Sequence, residues 1–276
     1  VNAVPAPDSE ATGSFEISAR EEKFGLDPTP EKSAFKLDVI AAGHPEFFTA
    51  LSRVVAAGHR LEILRGNHDL ELFFPAVKDR LREHLVDPAL GADRPAVERQ
   101  VRFHEWFYLE PGRVYIEHGN QYEASNSIRY PFRPLLPAPS GGQPSLDYPL
   151  GSLFVRYFYN RVRRSNPYAP RVASFEQYVA FLLHYNMLDL IQVGREHYPF
   201  FVSALDPRAT GGSSRSSSRD DAQHEDSLRA LADTTDPPDL YREISGLKVH
   251  PLSSSKLGLV REMLNPLVRR LLWSAG

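Results

Sequence analysis

Asn67, His68 and Asp69 stand side by side just after Gly66, and each suits a separate chemical task. An Asn carboxamide oxygen is a neutral, hard ligand that completes a metal sphere without adding negative charge. A His beside it can donate a proton or steady an anion. An Asp next to that His can fix its tautomer and keep it cationic. The same letters also suit a plain polar connection, with Gly66 making the turn and Asp69 capping the next helix.

The trio needs an element to hold it, and the preceding run supplies one. Leu61-Glu62-Ile63-Leu64 has the residue types and period of a buried strand, which puts the trio at a strand end, where α/β proteins build their sites. Upstream, residues 1–28 are rich in Pro, Ala, Glu and Ser and read as loop. Thr29-Pro30-Glu31 is a helix start, a capping hydroxyl followed by Pro at the first helical position, and predicts a short helix through Ile40. His44-Pro45 opens a second helix that stops at Gly58, with Phe47, Phe48, Leu51, Val54 and Val55 on one face. Downstream, Pro75 begins a helix carrying Val77, Leu81 and Leu85 at steps of four. Residues 86–99, with Pro88 and Pro95, read as loop. Strands are predicted at Val101–Phe103 and Trp106–Leu109. Pro111-Gly112 then turns the chain into the apolar run Val114-Tyr115-Ile116-Glu117, which ends at His118, Gly119 and Asn120.

Composition narrows the classes. A chain of 276 residues buries one large α/β core or two small ones. A net charge of −3 gives no whole-chain case for nucleic acid. With no cysteine, disulfides, thiolate zinc sites and cysteine nucleophiles are excluded, so any metal is held by nitrogen and oxygen. No apolar run reaches the ~18 residues of a spanning helix. The expected location is the cytoplasm, with attachment to a membrane surface as an option. The first residue is Val1 and not Met, so the true start is expected to lie upstream.

The character changes from Arg129 to Arg171, where seven Arg face one acid, Asp147, with Tyr and Phe interleaved. Residues 131–151 read as loop, 152–164 as a helix, and Ser174-Phe175-Glu176-Gln177 as a capping box opening an apolar helix to about Ile191. The division expected is a core over 1–128, a basic and aromatic helical insertion or cap over 129–206, and a disordered Ser/Gly-rich linker over 207–239. Residues 240–276 then form a C-terminal amphipathic helix region whose apolar stripe packs on the core.

The string GNHD after a strand, followed later by a strand ending in His-Gly, resembles the calcineurin-like metallophosphoesterase family. The resemblance spans about Thr29 to Tyr122. It implies an α/β fold, a partial metallophosphoesterase β-sandwich flanked by helices with a helical insertion, and a dinuclear site hydrolysing a phosphoester or pyrophosphate. It makes Asn67 and His118 ligands of one of two divalent ions, which would be manganese, iron or zinc. It places His68 at the leaving-group oxygen, with Asp69 orienting it from behind. Asn120, Gln121 and Glu123 are candidates for the pocket lining. Within the family, bacterial enzymes such as UDP-2,3-diacylglucosamine pyrophosphatase carry a helical, partly basic cap over a lipid-like substrate. Arg129–Arg171 would suit such a cap, since Arg forks bind phosphate. That enzyme has Arg where His68 stands and Asp where Asn120 stands, so its substrate is not carried over. The expected partner is a phosphorylated small molecule or lipid-like substrate, with an anionic membrane surface as a further option.

The family's other blocks are absent. There is no Asp-x-His triplet, no Gly followed by Asp, and no Gly-His-x-His. Truncation at both ends is the expected cause, and the chain by itself is expected to be a weak metal binder and a poor enzyme. Two other readings stay open: a degenerate, non-catalytic relative acting as a binding module, and a peripheral membrane or nucleic-acid binder working through the Arg/aromatic block. His84, His104, His184, His197, His224 and His250 lack a partner at metal-type spacing, and Asp38, Glu46 and Glu71 read as solvated charges.

Overall fold

A computed structural model describes residues 15–135, 146–156, 218–232, 240–249 and 251. These residues are α/β in the general sense, helices around two small sheets. Much of the 129–206 block and residues 252–276 lie outside the described residues, including the helices expected beyond 156 and the C-terminal stripe. No helix among the described residues is long and apolar enough to cross a membrane.

Four helix starts share one device, Pro in the first turn, where its missing N–H has no carbonyl to serve. They are α2 (Pro30–Gly43), α3 (Pro45–Ala56), α4 (Pro75–Leu85) and α5 (Arg94–Gln100). Thr29 caps α2 by accepting from the Lys32 amide, as its sequence predicts. Helix α5 corrects the expected loop over 86–99. Asp93 takes the Ala96 amide at 2.8 Å, a cap that makes Pro95 a helix starter and not a breaker. A further correction is α1 (Ala19–Phe24), inside the expected 1–28 loop. Ser18 and Glu21 form a reciprocal capping box there, which explains how so short a helix holds.

Strand β1 (Leu61–Leu64) pairs in parallel with β2 (Val101–His104), Leu61 opposite Val101 and Leu64 opposite His104. Strand β3 (Phe107–Glu110) pairs antiparallel with β4 (Val114–Glu117) across the Pro111-Gly112 turn, where Gly112 takes the left-handed φ of 69°. Behind β1 and β2, α3, α4 and α5 bury Phe48, Val55, Leu85, Val97 and Val101. Helix α3 turns in Phe48, Leu51 and Val55 of the expected face, but not Phe47 or Val54. Phe48, Ser52 and Val55 are buried at helical spacing, while Phe47, 59% exposed, and Val54 face solvent. Ser52 tolerates burial because its hydroxyl bonds the Phe48 and Leu85 carbonyls.

The expected disordered linker over 207–239 is corrected in part. Residues Ser218–Ala232 form α7, which packs with α8 (Leu240–Leu247) against β3. Leu228 and Ile244 bury with Trp106 and Phe107, so a mostly polar sequence is held by a few apolar contacts far away in the chain. Between them in sequence and the core sits α6 (Leu150–Phe154). Arg156, just beyond α6, is buried against the Gly25 carbonyl and Asp27. It is a tie to the N-terminal segment, not a member of an open phosphate-binding face.

Glu21 makes the acid end of the stability curve testable. Burial opposes its charge, yet hydrogen bonds from Lys32, the Asp27 amide and Ser18 hold its carboxyl down to about 2. A depressed folded pKa means stability that is present above the ordinary 4.5 and is lost as pH falls toward about 2. Thermal midpoints measured down this range should fall, and Glu21→Gln should flatten that part of the fall. An unchanged slope in the variant would remove Glu21 as its source.

Candidate functional site

The site loop leaves β1 at Arg65, whose amide extends the ladder to the His104 carbonyl. The Arg65 guanidinium is buried and bonds the Glu105 carboxylate, the Glu105 carbonyl and the Pro131 carbonyl. Lys78 of α4 joins the same carboxylate. The loop's first residue is therefore fixed to β2, α4 and the segment after residue 130 at once.

Gly66 serves the site through its lack of a side chain. Its φ is not in the left-handed region. A Cβ built on it would lie 2.6 Å from Cδ2 and 2.7 Å from Nε2 of His118. The His118 ring thus rests on the Gly66 backbone, and the two sequence blocks meet although they sit on different sheets. The turn-making role expected of Gly66 gives way to one of clearance.

Asn67 is 3% exposed, and both its ends are held by residues from far downstream. Its amide nitrogen donates to Asn126 Oδ1 at 2.8 Å, and its backbone carbonyl accepts from the Ser152 hydroxyl. Asn126 is itself gripped by Glu123, to which its own amide nitrogen donates. With the nitrogen spent on Asn126, the carboxamide oxygen of Asn67 is the end left for a cation. That is the orientation a ligand role needs. Gly151 makes room for this: a Cβ there would fall 2.0 Å from Asn126 Oδ1.

His68 is exposed, and its Nδ1 lies 3.3 Å from Ser152 Oγ. Desolvation of the ring pushes its pKa below the ordinary value, opposed by Asp69 and aided by His118. The expected orienting bond from Asp69 is corrected. The Asp69 carboxylate accepts the Gly66 amide at 2.7 Å and makes no cap to the following turn, Leu70–Phe73. Burial raises the Asp69 pKa, and the Gly66 amide works against that rise. Its geometry is that of a loop closer.

No family model, curated protein or solved structure matches the chain.

The three pocket candidates bond within their own loop. Asn120 donates to the Asn126 carbonyl, and buried Gln121 accepts from Ser127 and the Ile128 amide. Glu123 lies exposed and holds Ser125 and Asn126. They shape the 120–128 loop that carries Asn126. Glu71 departs from its reading as a solvated charge: it is 6% exposed and paired with Lys36 of α2 at 2.6 Å. His84 and His104 have carboxylate partners, Asp38 and Glu62, at 2.7 and 2.8 Å.

Sequence reasoning missed Asn126, Gly151 and Ser152. An Asn followed by Ser, and a Gly-Ser pair in a Pro-rich stretch, are ordinary loop letters; only the fold gives them a task. Among the described residues no three His, Asp or Glu side chains gather as a metal set. His118 and Asn67 offer one nitrogen and one oxygen. That fits part of one ion's sphere and falls short of the three or four protein ligands such sites use.

Proposed function

We propose that this site belongs to a metal-dependent phosphoester or pyrophosphate hydrolase, with the described residues supplying part of the metal sphere. The observation that supports it is the His118 ring lying on Gly66, beside an Asn67 whose oxygen end is left for a cation. On this reading β1–β2 and β3–β4 are the portion of a metallophosphoesterase β-sandwich that bears the two motif blocks. A bound manganese, iron or zinc ion would activate water and cancel phosphate charge; the family arrangement uses two such ions. His118 and Asn67 hold one of them. His68 Nε2 faces the substrate and gives its proton to the leaving oxygen. The substrate is a phosphorylated small molecule or a lipid-like phosphoester, met in the cytoplasm or at an anionic membrane surface.

One observation favours a second reading, a non-catalytic relative that binds phosphorylated ligands: among the described residues no three His, Asp or Glu side chains gather as a metal set. The variants that separate the two are His118→Ala and His68→Ala. Manganese uptake by electron paramagnetic resonance should fall in His118→Ala and persist in His68→Ala. Hydrolysis of p-nitrophenyl phosphate esters, weak in this chain, should fall by about 10²–10⁴-fold in His68→Ala, the usual worth of a general acid. Manganese binding with no hydrolysis in the unaltered chain would favour the second reading. Loss of metal in His68→Ala with retention in His118→Ala would reverse the assigned roles.

A further inference from the structure

Ser152 sits 7% exposed in α6, with its hydroxyl between two groups of the site loop, the Asn67 carbonyl and the His68 ring. A hydroxyl has one hydrogen to give and lone pairs to receive. A backbone carbonyl can only accept, so the Ser152 hydrogen goes to Asn67. Toward His68 the Ser152 oxygen is then an acceptor, and the ring nitrogen facing it at 3.3 Å must carry a hydrogen. The contact is long, as bonds to a catalytic His often are before substrate arrives.

We infer that Ser152 is the positioning residue for His68, holding the neutral ring in its Nδ1–H tautomer and presenting Nε2 outward. This rests on His68 being the proton donor proposed above. The donating form is the imidazolium, with a hydrogen on each nitrogen; when its Nε2–H bond breaks, an O–H bond forms on the leaving group and the ring loses its positive charge. The ring left behind carries its hydrogen on Nδ1, the form that Ser152 Oγ accepts. Ser152 thereby does the work that the sequence suggested for Asp69, whose Oδ1 is engaged by the Gly66 amide. Gly151, next to it, makes the room that brings Asn126 to Asn67. Two consecutive residues of one short helix thus set both the oxygen of Asn67 and the tautomer of His68.

The test is a long-range proton–nitrogen correlation spectrum of the full chain labelled with ¹⁵N-histidine, recorded near pH 8, where a His of ordinary pKa is mostly neutral. The His68 signals are assigned by their absence in His68→Gln. The native chain should show the Nδ1–H pattern, Ser152→Ala should move toward a mixture or the Nε2–H form, and Ser152→Thr should restore the native pattern. The threonine variant guards against a general loosening of α6, because it keeps the hydroxyl. A native His68 carrying its hydrogen on Nε2, or a tautomer unmoved by Ser152→Ala, overturns the inference. Neither outcome touches the metal reading, which manganese uptake in His118→Ala tests separately.

Discussion

Gly66→Ala should lower manganese affinity by about 10–100-fold, the range seen when the supports of a metal site are disturbed, while leaving the melting temperature nearly unchanged. The new methyl would need the space held by the His118 ring, at 2.6 and 2.7 Å from two of its atoms. Those atoms end a side chain that is exposed, so the ring can swing away with little harm to the core. Gly66 has no left-handed φ, and Ala there adds no backbone strain of that kind. The loss should therefore fall on the site and not on the fold. Gly43→Ala is the matching control, since nothing lies within 4 Å of a Cβ at that position. Electron paramagnetic resonance titration of both variants gives the comparison. A Gly66→Ala chain that takes up manganese as well as the Gly43→Ala chain would remove His118 from the metal site.

The second large effect concerns stability. Lys36 and Glu71 meet at 2.6 Å with side chains 4% and 8% exposed, and Glu71 Oε2 is buried without a hydrogen-bond partner. Lys36→Ala would leave a carboxylate in a site closed to water, which costs about 3–5 kcal/mol for a buried pair broken on one side. Replacing both partners, as in Lys36→Met with Glu71→Leu, should recover most of that loss, because two buried charges are then removed together. Urea denaturation of the three chains measures this directly. A Lys36→Ala loss below about 1 kcal/mol, the level of an exposed pair, would show that the pair is solvated after all. Glu71 lies two residues past Asp69, so the single variant should also loosen the site loop.

Much of the framework could be read from local signals. Thr29-Pro30, Pro45 and Pro75 mark helix starts through capping and a fixed φ, effects that act within one turn and need no partner. The run 61–64 and the His118 strand declared themselves by residue type. Two equally local signals were overlooked, the Ser18–Glu21 capping box and the Asp93 cap, because Pro and Ala around them suggested loop. The faces and roles were harder. Phe47 is as apolar as Phe48, and the choice of which one turns inward is made by α4, through the Leu85 carbonyl that receives Ser52. Adjacency made Asp69 the natural partner of His68. Yet the carboxylate reached back to Gly66, three residues away, and a serine from another helix came to the ring. Contacts of that kind depend on chain paths that no window of sequence contains.

Those paths also set an order of assembly. Asn67 takes its partners from residues 59 and 85 positions downstream. A chain emerging from the ribosome can complete α2 to α5 and both strand pairs while the loop after β1 still lacks the residues that close it. Until residue 152 is out, the Asn67 carbonyl has no hydroxyl to receive and His68 no neighbour to hold its ring. Closing so long a loop costs entropy that shorter-range pairings do not, and this places the site's completion late. Its chemistry would be switched on by the arrival of a helix five residues long.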